Sequence, residues 1–412
     1  MNTRQTIFHG LVFTCVLATA QTKTGDLKED LSAYLESIPE SIGNQFVVPS
    51  DEDLINWESG IAQLLNGNLA DSRTTLALLN YQVTEYSDTS TDPNLSYHIV
   101  EEMEPRQFHG GIYVFTTSAC SEFVSIQAPH PLYDSNTGLQ AAYCFSRISS
   151  GALMIAGTHR CNSNLSSTCD GTTSACGSSE AYRQSDLAHT EQSFFHATTK
   201  AVAAHHASSV FIQLHGFGKT ASDPYVIMSN GSRTTPSTDY ADMLKDELDL
   251  IDPSLTFKLG HQNTDWTRLL GFTNVQGRYL NNSIDPCEEE ASEGSGRFIH
   301  IEQEREKLRA DVGGWETMAR ALANTFNCAL TTGVGDLLKV RIYPVPLEMG
   351  ALTVEGSNLE EIRLMDHSGK VIQTWKCSES KVTLDVSGQK SGLYLLKVIG
   401  GNSHSIHKVL LK

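Results

Sequence analysis

Positive charge is scarce in this sequence: 30 Lys and Arg face 48 Asp and Glu over 412 residues, a formal net charge of −18. No basic cluster interrupts that surplus, so a phosphate backbone is repelled and nucleic acid is excluded as a partner. Long apolar runs are lacking too. None reaches the ~20 residues that a bilayer-crossing helix needs, so no transmembrane segment is expected. H-E-x-x-H, G-x-S-x-G and the phosphate loop are all missing, which sets aside zincin, serine-hydrolase and nucleotide-dependent chemistry. No C-x₂-C pair occurs, so the cysteines do not spell a zinc finger.

What is present is enough for a real core: 40% of residues are hydrophobic and only 19% charged, over a length that suits two or three domains. Arg4, the apolar stretch Ile7–Val16 and Ala18-Thr19-Ala20 have the three parts of a secretory signal peptide, so residues 1–20 are expected to be removed after Ala20. Eight cysteines then remain, at 120, 144, 161, 169, 176, 287, 328 and 377. An even count in an oxidising compartment favours disulfides, with the pairing left open.

Residues 21–108 look like a small α+β region. Helical patterns lie at Asp30–Leu35 and Asp51–Leu65, and alternating strand patterns at Leu78–Glu85, Leu95–Val100 and Gly111–Thr116. Residues 109–330 change character. Short apolar runs (Phe123–Ala128, Ala152–Ala156, Val210–Leu214, Phe298–Ile301) alternate with helical stretches at Glu191–His206, Tyr240–Ile251 and Glu302–Phe326, the last broken near Gly313-Gly314. That alternation predicts an α/β fold, three-layer α/β/α around a mostly parallel or mixed central sheet. Residues 340–412 return to alternating runs at roughly ten-residue spacing, a small C-terminal β-sandwich.

Ligands collect at the carboxyl ends of strands in such sheets. Here those ends carry His130, the Gly157-Thr158-His159-Arg160 run, His215 and Glu302. Pro131 suits the first position of a helix, which puts His130 and Asp134 one turn apart on one face. With His215 they form a two-histidine, one-carboxylate set, the ligand pattern of a catalytic zinc site with a position left for water. Glu302 is then placed to take and return the water's proton. Each residue also has a plainer explanation: a surface imidazole, a helix-start carboxylate, or the first residue of a polar helix face. Asp186 and His189, three apart at the start of a helix, are candidates for a substitute metal pair, for supports behind the ligands or for pocket wall, the plainer reading being an N-cap and a solvent-facing imidazole.

Two resemblances sharpen this. The strand Ile212-Gln213-Leu214-His215-Gly216 resembles the second-histidine strand of the zinc carboxypeptidase-like superfamily, which includes carboxypeptidases, aspartoacylases and N-formylglutamate amidohydrolases. Phe298-Ile299-His300-Ile301-Glu302 resembles its general-base strand, and Pro129-His130-Pro131-Leu132-Tyr133-Asp134 stands where that family has H-x-x-E. The carboxylate here is Asp, one methylene shorter and one residue later. The resemblance implies a Zn²⁺-dependent hydrolase of amide bonds acting on a small-molecule or peptide substrate that bears a carboxylate: a peptide end, an N-acyl amino acid or poly-γ-glutamate. It also implies arginines for the substrate, with Arg160 first and Arg278 second, beside Asn274. The alternative class is a non-catalytic secreted surface or binding protein that keeps the fold without the metal. Residues 340–412 resemble the C-terminal sorting domain of type IX secretion, through Ile342-Tyr343-Pro344-Val345-Pro346, Met365–Val371, Ser391–Lys397 and His407–Lys412. That implies the type IX machinery as a partner and a secreted or cell-surface location.

Overall fold

Val124–Ala128 and Ala152–Ile155 are buried along their whole length, the first with Gln127 hydrogen-bonded to Thr199 and Gln213 on its polar face. They lie in the middle of a ten-stranded mixed sheet in the computed structural model. The model describes residues 21–412 except 93, 118–119, 121–122, 149, 334–339, 346–349, 357–358, 367–369, 401–402 and 412. The expected leader, residues 1–20, lies outside the described residues, as do Pro346, His367–Gly369 and Lys412 of the sorting-domain motifs.

Across the sheet the strands run Gln21–Gly25, Tyr81–Asp88, Leu95–Glu102, Ile112–Thr116, Ala152–Ile155, Val124–Ala128, Val210–Phe217, Phe298–Glu304, Val226–Ser229 and Phe257–Leu259. The four from Ala152–Ile155 to Phe298–Glu304 are mutually parallel, so their carboxyl ends share one edge. His215 pairs in register with Glu302 there. Residues 21–108 do not form a separate sheet. Leu95–Glu102 is hydrogen-bonded to Ile112–Thr116 across the boundary expected at 108, because both bury apolar faces between the same helical layers.

One layer consists of helices Leu27–Glu36, Thr137–Ile148, Tyr240–Ile251 and Val312–Thr325; the other has Asp51–Leu65, Leu69–Ala77, Phe194–His205 and Val275–Leu280. Strand periodicity divides the core accordingly. Ile212, Leu214, Ile299 and Ile301 pack into the first layer, Phe211 and Phe298 into the second. The α/β/α expectation is met. One local expectation is corrected: Glu302 does not open a helix. The strand runs on to Glu304, whose carboxylate accepts from the Glu306 and Lys307 amides and starts a short π-helical turn at Arg305–Arg309. Asp311 then caps the next helix through the amides of Gly313 and Gly314, so the break precedes the glycines.

Three disulfides form: Cys120–Cys328, Cys161–Cys176 and Cys169–Cys287. Cys144 and Cys377 are free. The C-terminal part is a sandwich of three- and four-stranded antiparallel sheets around Leu352, Val354, Ile362, Leu364, Leu384 and Leu396. Among the described residues no helix is long and apolar enough to cross a membrane.

Candidate metal centre

The parallel register fixes where the chemistry collects. Because side chains alternate, Phe211, Gln213 and His215 share a face with Phe298, His300 and Glu302. The Val124–Ala128 strand ends beside them and the chain turns at once, the Asp134 amide bonding the His130 carbonyl at 3.0 Å. This is a single turn, and the helix begins only at Thr137, later than the position of Pro131 suggested. The one-turn spacing nonetheless brings His130 and Asp134 onto a common point.

There, His130 Nδ1 lies 3.3 Å from Asp134 Oδ2, His215 Nδ1 lies 3.2 Å from the same oxygen, and the two Nδ1 atoms are 3.2 Å apart. All three side chains are buried. Two imidazole nitrogens and a carboxylate oxygen this close fit one tetrahedral cation, since bonds of about 2.0–2.1 Å put ligand atoms roughly 3.3 Å apart. The far side of each ring is held. His130 Nε2 is 2.8 Å from Asp186 Oδ1, and His215 Nε2 is 2.9 Å from Gln213 Oε1. Gln213 Oε1 also accepts from Asn274 Nδ2 at 2.6 Å. A proton on each Nε2 would free each Nδ1 lone pair for a cation; without a cation the Nδ1 atoms are the donors to Asp134.

The electrostatics agree. Burial alone raises the Asp134 pKa, but bonds from His130 and His215 hold it well below the usual carboxylate range. Burial, chiefly, lowers His215 to about 4. For His130, burial and Arg160 push downward, while Asp186 and Asp134 carry it above its ordinary value. Glu302 is raised to about 8, first by burial and then by Asp134, and its Oε2 is buried without a hydrogen-bond partner among the described residues. It faces a cavity of about 470 Å³ with His130, Arg160, His189, His215 and His300.

Not every expected residue reaches this place. Arg160 does: Asp186 grips one edge of its guanidinium at Nε and Nη2, while Nη1 approaches His130 Nδ1 at 3.4 Å. Asp186 is fully buried beneath both, in a turn instead of the expected helix start. His189 forms wall. Its ring stacks on Tyr182 at 3.6 Å and bonds the Thr273 carbonyl, and burial lowers its pKa to about 3. Arg278 does not line the cavity. It is 1% exposed, and its donors go to Asp170 and to the carbonyls of Phe272, Pro286 and Cys287, so it ties loops together. Asn274 is 1% exposed and acts through Gln213, besides capping its own helix.

The sequence reading passed over His300, two residues before Glu302 on the same face, with Nε2 3.9 Å from Glu302 Oε1 and Nδ1 buried without a partner. With His215 and Glu302 it makes a second cluster of potential ligand atoms. The i, i+2 spacing was the available signal. The cavity wall formed by Thr172, Thr173 and Tyr182 was also missed, because long-range ties bring that loop over the site: the Cys161–Cys176 and Cys169–Cys287 bonds, Arg278 on Asp170, and Tyr182 on Thr273.

Comparison with known proteins gives one family match: residues 341–412 match the secretion system C-terminal sorting domain. This domain marks the protein for type IX export, to the cell surface or beyond it. No curated protein matches the chain by sequence. Among solved structures, the chain is similar to an N-formylglutamate amidohydrolase from Ralstonia eutropha JMP134, with 11% identity, 53% of this chain and 96% of that one covered, and a TM-score of 0.33. A putative carboxypeptidase from Burkholderia mallei ATCC 23344 is 12% identical over 64% of this chain and 67% of its own, with a TM-score of 0.32. An aspartoacylase family protein from Mesorhizobium loti is 13% identical over 76% and 93%, with a TM-score of 0.30.

Proposed function

We propose that this is a secreted zinc-dependent hydrolase that cuts an amide bond in a carboxylate-bearing substrate, with Glu302 as general base. The observation that carries it is the convergence of His130 Nδ1, His215 Nδ1 and Asp134 Oδ2 within 3.3 Å of one another, each imidazole held from behind by a hydrogen-bond acceptor. The shorter Asp side chain reaches the common point because the turn, closed by the Asp134 amide, lifts its backbone toward the two rings.

Bound by these three residues, zinc supplies a Lewis acid for the scissile carbonyl and for the attacking water. Glu302 removes a proton from that water as its oxygen attacks the carbonyl carbon, and then gives the proton to the leaving nitrogen as the C–N bond breaks. Burial beside Asp134 raises the Glu302 carboxyl above the usual carboxylate range in the metal-free site, which favours its taking up a proton. Arg160 lines the cavity with its orientation fixed by Asp186, so it can donate to a developing oxyanion or a substrate carboxylate without first being ordered. Asp186 holds both His130 and Arg160, which makes it the hinge between metal binding and substrate binding.

Metal analysis of the purified protein tests the reading directly. One zinc per chain is expected, with the metal lost in His215→Ala. Glu302→Gln should keep the zinc and lose about 10²–10⁴ in hydrolytic rate. A chain that takes up no zinc is instead a binding protein on this fold. Zinc retained with full activity in Glu302→Gln removes that residue from the chemistry. A screen of N-acyl amino acids and peptides identifies the substrate.

A further inference from the structure

Beside the metal centre lies a second cavity of about 470 Å³, separated from the first by Arg160, Thr173, Leu269 and Glu302, which line both. Four arginines border it (Arg160, Arg268, Arg305 and Arg309), and its only acidic lining residues, Asp134 and Glu302, belong to the metal centre. In a chain of net charge −18 this lining is locally rich in cations, although Arg160 is paired with Asp186 and Arg268 with Asp223.

Arg309 is the unusual member. It is 3% exposed, yet it faces no carboxylate partner among the described residues. Its guanidinium donates instead to three carbonyls: Ser135 at 2.6 Å, Gln303 at 3.0 Å and Phe217 at 3.3 Å. The π-helical turn Arg305–Arg309 swings it back beneath the His215 strand, where it lies over Gly216 so closely that any Cβ there would collide with it. The carboxylates of Asp134, Glu302 and Glu304 act on it through space, and none forms an ion pair with it among the described residues. Above it, Arg305 is exposed and has no ion-pair partner among the described residues. Arg268 is held at the rim by Asp223 at 2.7 Å, with its outer edge toward solvent.

We propose that this second arm binds the acidic portion of the substrate, a peptide segment carrying at least two carboxylates as in consecutive glutamyl residues, with Arg305 and Arg268 as contacts and Arg309 as the fixed charge beneath. The inference deepens the hydrolase reading, on which it rests only for the choice of bond that is cut. Linkage through the α- or the γ-carboxylate presents the same charges, so both forms belong in the test.

The experiment is fluorescence anisotropy with the zinc-loaded full chain in the Glu302→Gln background, so that the probe is not consumed. End-labelled hexa-α-glutamate, hexa-γ-glutamate and hexa-glutamine are compared. At least one glutamate peptide should bind tenfold or more tighter than the glutamine control, and the advantage should shrink as salt is raised. Arg268→Gln with Arg305→Gln should abolish the preference without changing zinc content or melting temperature. Arg305→Glu alone, at an exposed position, should weaken binding in the same direction. Equal binding of glutamate and glutamine peptides, or a preference that survives in the double variant, overturns the proposal. Binding without hydrolysis in the unsubstituted protein would overturn the catalytic reading and leave this one standing.

Discussion

The behaviour of single residues turns on what stands behind them. Asp186 accepts from His130 on one oxygen and from Arg160 on the other, with no exposure to water. Asp186→Asn keeps the shape and removes the charge, so zinc affinity should fall by about 10–100-fold, read by chelator competition. His196 poses a different problem. It is 2% exposed, neither ring nitrogen has a hydrogen-bond partner among the described residues, Nε2 lies 3.9 Å from Glu191 Oε1, and burial (helped by Lys200) lowers its pKa to about 3. The unfolded chain takes up this proton near pH 6.5 and the folded chain does not, so the contribution of the neutral ring to stability is complete above that pH. It is lost as the pH falls toward 3, at roughly 1.4 kcal/mol per pH unit. His196→Phe preserves the ring contact with Tyr279 and removes the titration. Its acid-unfolding midpoint, followed by circular dichroism, should therefore move to lower pH than that of the unsubstituted protein.

At the scale of elements, the regular parts were legible and the loops were not. Val210–Leu214 and Phe298–Ile301 show in the sequence as apolar runs, so both strands were legible, but each continues past its run, to Phe217 and Glu304, and their pairing was not. Val226–Ser229, antiparallel to Phe298–Glu304 and parallel to Phe257–Leu259, is only 4 residues long and has no such signature. Arg278 and Arg309 could not be sorted by sequence. One meets Asp170 across 108 residues, and the other depends on a π-helical turn that no periodicity announces. The loop over the site is a case in point. Its hairpin pairs only Thr172–Thr173 with Glu180–Ala181 and has little core of its own, so the Cys161–Cys176 and Cys169–Cys287 bonds carry its order. Replacing Cys161 and Cys176 by Ser should cost about 3 kcal/mol, measured by thermal unfolding. It should also open residues 161–183 to limited proteolysis while the sheet stays protected.

The whole molecule joins a candidate enzyme body to an export module. Residues 341–412 match a sorting domain, and their sandwich has its own core of Leu352, Ile362, Leu364 and Leu396, to which no residue of the metal centre belongs. A chain ending before residue 341 should be retained inside the cell envelope, by fractionation, yet bind as much zinc per molecule as the full chain. The Cys120–Cys328 bond gives that separation a covalent meaning. His130, Asp134, Arg160, Asp186, His215, Glu302 and Arg309 all fall between the two linked positions. They sit on one closed ring of polypeptide, with the sorting domain beyond it on the C-terminal side. Trimming that domain after transport shortens the molecule without opening the loop that keeps its working parts together.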